Sequence, residues 1–294
     1  MNRFVSKHLC GVVPRCLLLS LLLAAAAAPA LTQTAAKAQP SPAAGAHVTE
    51  TQIDATIADD PAVDQMLSAY SPKVREVEKV IGNLSGELRK GGVGAGSLGN
   101  FVTDGILFEA RQKLGNSVVL AVTNAGGLRK TSIAEGVLRE SDIWELLPFE
   151  NALVEFDLTG AQVLSLLKQV VSHRDAQAGA RIKYVNDADN RPQLQTARLL
   201  IDGKEQDIDA KAVYRVICID YLWKRTANVA SDTEGNYSVL GQAQKIEPVG
   251  LTIRDAMIDY VKKETAAGRE IKPNLDGRFS TDGPATPNPR EAQQ

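Results

Sequence analysis

Histidine is scarce in this 294-residue chain, which contains only His8, His47 and His173. A metal centre built on imidazoles therefore has almost nothing to work with. Cysteine is equally sparse, at Cys10, Cys16 and Cys218, and the first two fall in an N-terminal segment expected to be removed. No internal disulfide can form once Cys218 stands alone. Neither sign of charge dominates, since 33 Lys and Arg face 35 Asp and Glu for a formal charge of −2. Taking away Arg3, Lys7 and Arg15 leaves 30 basic residues against 35 acidic ones, so the positive field that non-specific DNA or RNA binding draws on is missing. No nucleic acid is expected as a partner. The chain also lacks a G-x-S-x-G elbow, an H-E-x-x-H helix and a C-x-x-C pair, and no catalytic residues are assigned.

One long apolar run is present, Cys16–Ala28, behind a short basic stretch and ahead of the small residues Ala28-Pro29-Ala30. It is shorter than the roughly 18–20 residues that cross a bilayer. Residues 1–30 are therefore expected to be a cleaved signal peptide, with Ala36-Lys37-Ala38 a second possible cut site. A secreted or periplasmic location without stable membrane insertion follows. Residues 31–59 begin with Ala, Gln, Thr, Pro and Ser and read as a flexible tether, and residues 281–294, with Pro284, Pro287 and Pro289, read as a disordered tail. Residues 60–280 are long enough for one domain.

Within it, Val63, Leu67, Tyr70, Val74, Val77 and Ile81 recur at helical spacing after Asp60-Pro61, with Pro72 set to kink or divide the helix. A helix is expected from about Leu98 to Leu114, then a buried strand through Ser117–Val122. Val154, Phe156 and Leu158 alternate with Glu155 and Asp157 as in a strand, and Thr159 caps the helix that follows. Asp202-Gly203 marks a two-residue hairpin, Val213–Ile219 another strand, and Thr252 opens a helix that Gly268 ends. Alternating strands and helices define a single mixed α/β domain, its sheets flanked by helices.

Gly94-Ala-Gly-Ser-Leu-Gly99 fits the spacing of a dinucleotide-binding turn, but no hydrophobic strand precedes it and no acid follows the next strand. A flexible glycine loop entering a helix is the better reading. Thr123-Asn-Ala-Gly-Gly-Leu-Arg129 is more informative because it follows a buried strand directly. Paired glycines let a ligand approach the backbone, Asn124 offers an amide, and Arg129 offers a charged fork. A structural turn with an arginine in solvent fits the same spacing. Phe149 follows Pro148 in a loop before one strand, and Tyr221 and Trp223 follow the end of another. Two such aromatics can clamp a flat ring, or simply form the edge of the core. Cys218, among apolar strand residues, is expected to be a buried thiol, and His173 to cap a helix end.

Taken together, Val80-Ile-Gly82, Leu98-Gly-Asn-Phe-Val-Thr-Asp104, Thr123–Arg129, Leu146-Leu-Pro-Phe-Glu-Asn151, Leu158-Thr-Gly-Ala-Gln162 and Asp276-Gly-Arg278 resemble the C-terminal domain of the 5′-nucleotidase family, over about Asp60 to Phe279. The resemblance implies a domain that recognises a nucleotide or nucleoside. Hydrolysis in that family belongs to an N-terminal metallophosphatase domain with two divalent metals. By the same resemblance Asn124, Gly127 and Arg129 contact the ligand, while Phe149 and Tyr221 take the two faces of the base. No cofactor is expected in this chain, and a separate metallophosphatase chain is the implied partner. Three departures stand out: Gly94-Ala95 where the family commonly has Arg-Glu, Glu150 where it has glycine, and Ser231–Tyr237 in place of a shorter sugar-binding loop. The alternative is a binding or scaffold module with the fold but without the nucleotide site.

Overall fold

Every residue from Val118 to Thr123 is buried, and this strand lies inside a five-stranded sheet. The computed structural model describes residues 50, 52, 54, 56–226 and 237–283. The chain divides into Met1–Ala58 and Asp59–Gln294, and the fold belongs to the second unit. The expected signal peptide and the tail from Pro284 lie outside the described residues. Across the sheet the strands run Lys245–Thr252, Ala152–Thr159, Val213–Ile219, Val118–Thr123, Ala176–Ala178. Only Val213–Ile219 and Val118–Thr123 are parallel, with Cys218 opposite Val122; the other neighbours are antiparallel. A second sheet has the order Lys204–Asp207, Pro192–Ile201, Ala180–Asn186, Phe279–Ser280.

The helix Gly96–Leu114 covers the sheet at Val118–Thr123 and Ala176–Ala178 and also packs on the helix Ile253–Ala266. Phe156, Leu120, Leu98 and Ile106 are fully buried in the shared core, each contributing on the order of 1.5–3 kcal/mol. Thr159 caps the helix Gly160–Ser172 in a reciprocal box with Gln162, the arrangement that satisfies two otherwise orphaned N–H groups. Thr252 caps Ile253–Ala266 through the N–H of Asp255. Asp202 and Gly203, at φ 51° and 73°, join Pro192–Ile201 to Lys204–Asp207, as a tight hairpin requires.

The N-terminal part of the domain departs from the sequence expectation. Instead of one helical face through Ile81, two short helices form, Pro61–Ser68 and Ser71–Val77, with Pro72 in the first turn of the second. Proline is tolerated there because that N–H has no intrahelical partner. Ile81 belongs to the strand Val80–Leu84, paired antiparallel with Gly136–Arg139. Neither helix buries a residue, and Val63, Leu67, Tyr70 and Val74 are exposed.

At the other end Arg278 is buried and donates two hydrogen bonds to Asp104, at 2.8 and 2.9 Å, and one through Nε to Asp276 at 2.9 Å. Phe279 then pairs in parallel with Ile182. Burial pushes the Asp104 carboxyl up despite Arg278. Burial acts the same way on Asp276, but hydrogen bonds from Arg278 and Arg181 outweigh it and hold that carboxyl below the usual range. A lowered carboxyl contributes stability above its unfolded pKa, and that contribution disappears as pH falls through the folded value. Asp104 has the opposite sign, its contribution lost as pH rises through its raised value. Urea denaturation below about pH 4 should therefore show the Asp276→Asn variant losing less stability on acidification than the parent.

Gly179 provides a second test. Its φ is +106°, and a Cβ there would lie 2.0 Å from the carbonyl oxygen of Val119, whereas Gly203, at +73°, has nothing within 4 Å. Gly203→Ala should cost about 1–2 kcal/mol. Gly179→Ala should cost roughly 3 kcal/mol or more, because a backbone clash adds to the conformational strain. Equal shifts of the urea midpoint would contradict this packing.

Candidate functional site

Strand direction decides where the expected site residues go. Asn124 follows the C-terminal end of Val118–Thr123, and Tyr221 follows the C-terminal end of the parallel neighbour Val213–Ile219. Phe149 precedes the N-terminal end of Ala152–Thr159, which is antiparallel to Val213–Ile219 with Leu153 opposite Ile219. All three segments therefore leave the same end of the sheet.

The turn after Thr123 is a single 3-10 turn, Ala125–Gly127. It is closed by Gly127 N–H donating to Asn124 C=O at 3.0 Å and Leu128 N–H donating to Ala125 C=O at 3.1 Å. Asn124 Oδ1 is buried and accepts no hydrogen bond among the described residues. A Cβ at Gly127 would sit 3.0 Å from that oxygen, so glycine avoids crowding the Asn124 amide. An acceptor buried without a partner costs on the order of 1–3 kcal/mol. The Arg129 N–H donates to Leu146 C=O at 2.8 Å, tying the turn to the segment that leads to Phe149. The Arg129 guanidinium lies 6.0 Å from the Phe149 ring centroid, at the outer reach of a cation–π contact.

The Phe149 loop is anchored on both sides. Buried Arg254 donates from Nε to Leu147 C=O at 3.0 Å while stacking 3.7 Å from the Trp144 ring centroid. The N–H groups of Ile253 and Ala152 donate to Asn151 C=O and Asp220 Oδ1, at 2.9 and 3.1 Å. The last bond joins the base of the Phe149 loop to the residue before Tyr221. Phe149 is 50% exposed and Tyr221 39%, so neither ring is core. Trp223 differs, packing edge-on against Phe156 at 6.4 Å in the hydrophobic core.

The remaining motifs resolve into packing. In the glycine loop, a Cβ at Gly94 would strike the Phe279 ring at 2.4 Å, and one at Gly99 would lie 2.1 Å from Gly94 C=O. These glycines permit close approach, and the strand immediately before them is the two-residue Leu88–Arg89. His173 is the C-cap of Gly160–Ser172 and packs edge-on against Tyr237. Of the Ser231–Tyr237 loop, only Tyr237 falls among the described residues. Asp175, which no sequence motif marks, is also at this end of the sheet, because Ala176 pairs with Thr123. Its signal was only a charge directly before a short apolar strand whose pairing the sequence does not reveal.

Among the described residues no group of three or more His, Cys, Asp or Glu side chains is arranged to hold a metal ion. No chemical step is therefore assigned through a metal here. Cys218 is fully buried, and burial pushes its thiol up. In the native protein it should resist alkylation by iodoacetamide and react fully in urea; rapid native labelling would contradict its placement.

This arrangement is the mixed α/β fold of the 5′-nucleotidase C-terminal type. Residues 76–230, just over half of the 294, match the model of the 5′-nucleotidase C-terminal domain, and the chain belongs to that family. It is 29% identical over 191 residues to the trifunctional nucleotide phosphoesterase of Bacillus subtilis, covering 62% of this chain and 12% of that protein. Against the NAD 5′-nucleotidase of Haemophilus influenzae it is 26% identical, over 76% of this chain and 40% of the relative. A cell wall protein of Listeria monocytogenes is 27% identical over 62% of this chain and 23% of its own length. Among solved structures, the 5′-nucleotidase precursor of Thermus thermophilus superposes with a TM-score of 0.60 at 24% identity, over 76% of this chain and 44% of the other. The chain thus spans less than half the length of each of these proteins.

Proposed function

We propose that this domain binds a nucleotide or nucleoside at the sheet end from which the segments carrying Asn124, Gly127, Arg129, Phe149 and Tyr221 leave. The observation that carries the reading is the buried Asn124 amide oxygen, which accepts no hydrogen bond among the described residues, beside a glycine where any side chain would crowd it. A base amino group or a ribose hydroxyl would donate to it. Arg129 supplies a charged fork for a phosphate. Phe149 and Tyr221, both outside the core, offer apolar faces to a base, each worth on the order of 1 kcal/mol. Hydrolysis of the ester falls to a separate metallophosphatase chain carrying divalent metals, and the present chain supplies recognition in nucleotide breakdown. Family membership and the names of the relatives support a role in nucleotide breakdown. The apolar leader, together with a relative named as a cell wall protein, supports secretion or a periplasmic location. No described helix is long and apolar enough to cross a membrane.

A second reading, a scaffold that kept the fold and not the ligand, draws on Gly94-Ala95. That pair enters the helix in left-handed conformation and brings no cation to the site. Calorimetric titration with adenosine and AMP separates the two. Binding is expected for both ligands, weakened about five- to tenfold in Phe149→Ala and in Tyr221→Ala. No heat at millimolar ligand would sink the nucleotide reading. Phosphate release with manganese or zinc by this chain alone would refute the separate-chain assignment.

A further inference from the structure

Beneath the turn that carries Asn124 lies a buried charge. The side chain of Asp175 is 8% exposed, and its two oxygens point in different directions. Oδ1 accepts from the N–H of Ala125 at 2.7 Å, and Oδ2 accepts from the hydroxyl of Tyr237 at 2.6 Å. Tyr237 is itself fully buried and leads directly into the 3-10 turn Ser238–Gln242. Burial, with the charge and hydrogen bond of Asp175, pushes its phenol well above the ordinary range, so it stays protonated and donates. The backbone around Asp175 is equally committed: its N–H donates to Val170 C=O at 2.9 Å, and Arg174, at φ 60°, accepts at its C=O from Gly94 N–H at 3.2 Å. Asp175 therefore sits where the Gly94 loop, the Asn124–Gly127 turn, the end of the helix Gly160–Ser172 and Tyr237 come together.

We infer that Asp175 is a positioning residue for the nucleotide site, holding the Asn124–Gly127 turn in its binding shape through the Ala125 amide. This rests on the nucleotide reading above. Among the described residues the turn has few other fixed points: its own two closing bonds, the Arg129 N–H, Arg129 Nη1 donating to Gly126 C=O at 3.4 Å, and Lys90 Nζ donating to Leu128 C=O at 3.1 Å. Without the carboxylate, the Ala125 N–H and the Tyr237 hydroxyl would both be buried without an acceptor, and the turn would reorganise to satisfy them. The Asn124 amide would then lose its place. A charge-assisted bond to a backbone N–H is about twice as strong as a neutral one, so a buried carboxylate suits this task. Asparagine can keep one of the two acceptor bonds, whereas alanine keeps neither.

The test uses the folded chain with adenosine as probe, comparing the parent, Asp175→Ala, Asp175→Asn and Tyr237→Phe, with Lys168→Ala as a surface control. Adenosine affinity is read by calorimetry on folded protein, and hydrogen exchange of the Ala125 amide is read by NMR without ligand. Asp175→Ala should weaken binding about tenfold or more and speed Ala125 exchange. Asp175→Asn should recover most of both, and Lys168→Ala should change neither. If Asp175→Ala does not fold, Asp175→Asn and Tyr237→Phe supply the intermediate values. Parental affinity in a folded Asp175→Ala variant, when the parent binds, overturns the inference while leaving the nucleotide reading intact. Absence of heat from the parent refutes that reading instead, and Ala125 exchange then decides whether Asp175 holds the turn.

Discussion

The site depends on one arrangement in the central sheet, a single parallel strand pair set among antiparallel neighbours. Because Val118–Thr123 and Val213–Ile219 run together while Ala152–Thr159 and Ala176–Ala178 run against them, two chain exits and two chain entries fall at one end. Reversal of any of these strands would send its loop to the opposite face of the domain. The parallel pair is possible only because a long crossover connects its members, and that crossover contains the helix Gly160–Ser172 and three strands of the second sheet. The architecture that buries the core is thus also what gathers Asn124, Phe149, Tyr221 and Asp175.

Around that convergence the molecule separates buried support from exposed side chains. Arg254, Asp220 and Asp175 are buried, and each accepts from or donates to a backbone group of a loop at this end. Phe149, Tyr221 and Arg129 stand outside the core. Side chains that face a ligand need their own geometry fixed from below, and buried charged groups satisfied by backbone partners provide it. Relatives named for nucleotides and for NAD match the same framework at under 30% identity, as expected where packing and backbone anchoring matter more than particular surface residues.

Much of this was legible in the sequence wherever a local rule acts alone. The Thr159 cap needs only Gln162 three residues on, and the Asp202-Gly203 hairpin needs only two residues that tolerate positive φ. The buried strand at 118–123 was readable from its unbroken apolar run. Legibility failed where the outcome turns on distant partners. Ile81 shares the helical spacing of Val63 and Leu67, yet pairing with Gly136–Arg139 draws it into a strand. Periodicity identified an apolar face in Pro61–Val77 without saying whether the domain covers it, and no residue of either helix is buried. At the proposed site, the glycines and arginine of the turn stand out in the sequence because they are adjacent residues after a buried strand. Asp175 does not, since its role depends on Ala125 and Tyr237, 50 and 62 positions away.

The ends of the folded region also differ in how they would carry load. Tension applied beyond Ser280 would first meet the parallel pairing of Phe279 with Ile182 and then the two-fold grip of Arg278 on Asp104. Tension applied before Pro61 would meet two helices of eight and seven residues that bury nothing, and helices that short are marginal without packing. The domain is therefore mechanically one-sided. Its N-terminal end would yield by uncoiling and act as a compliant coupling, while its C-terminal end would hold until the core itself gave way.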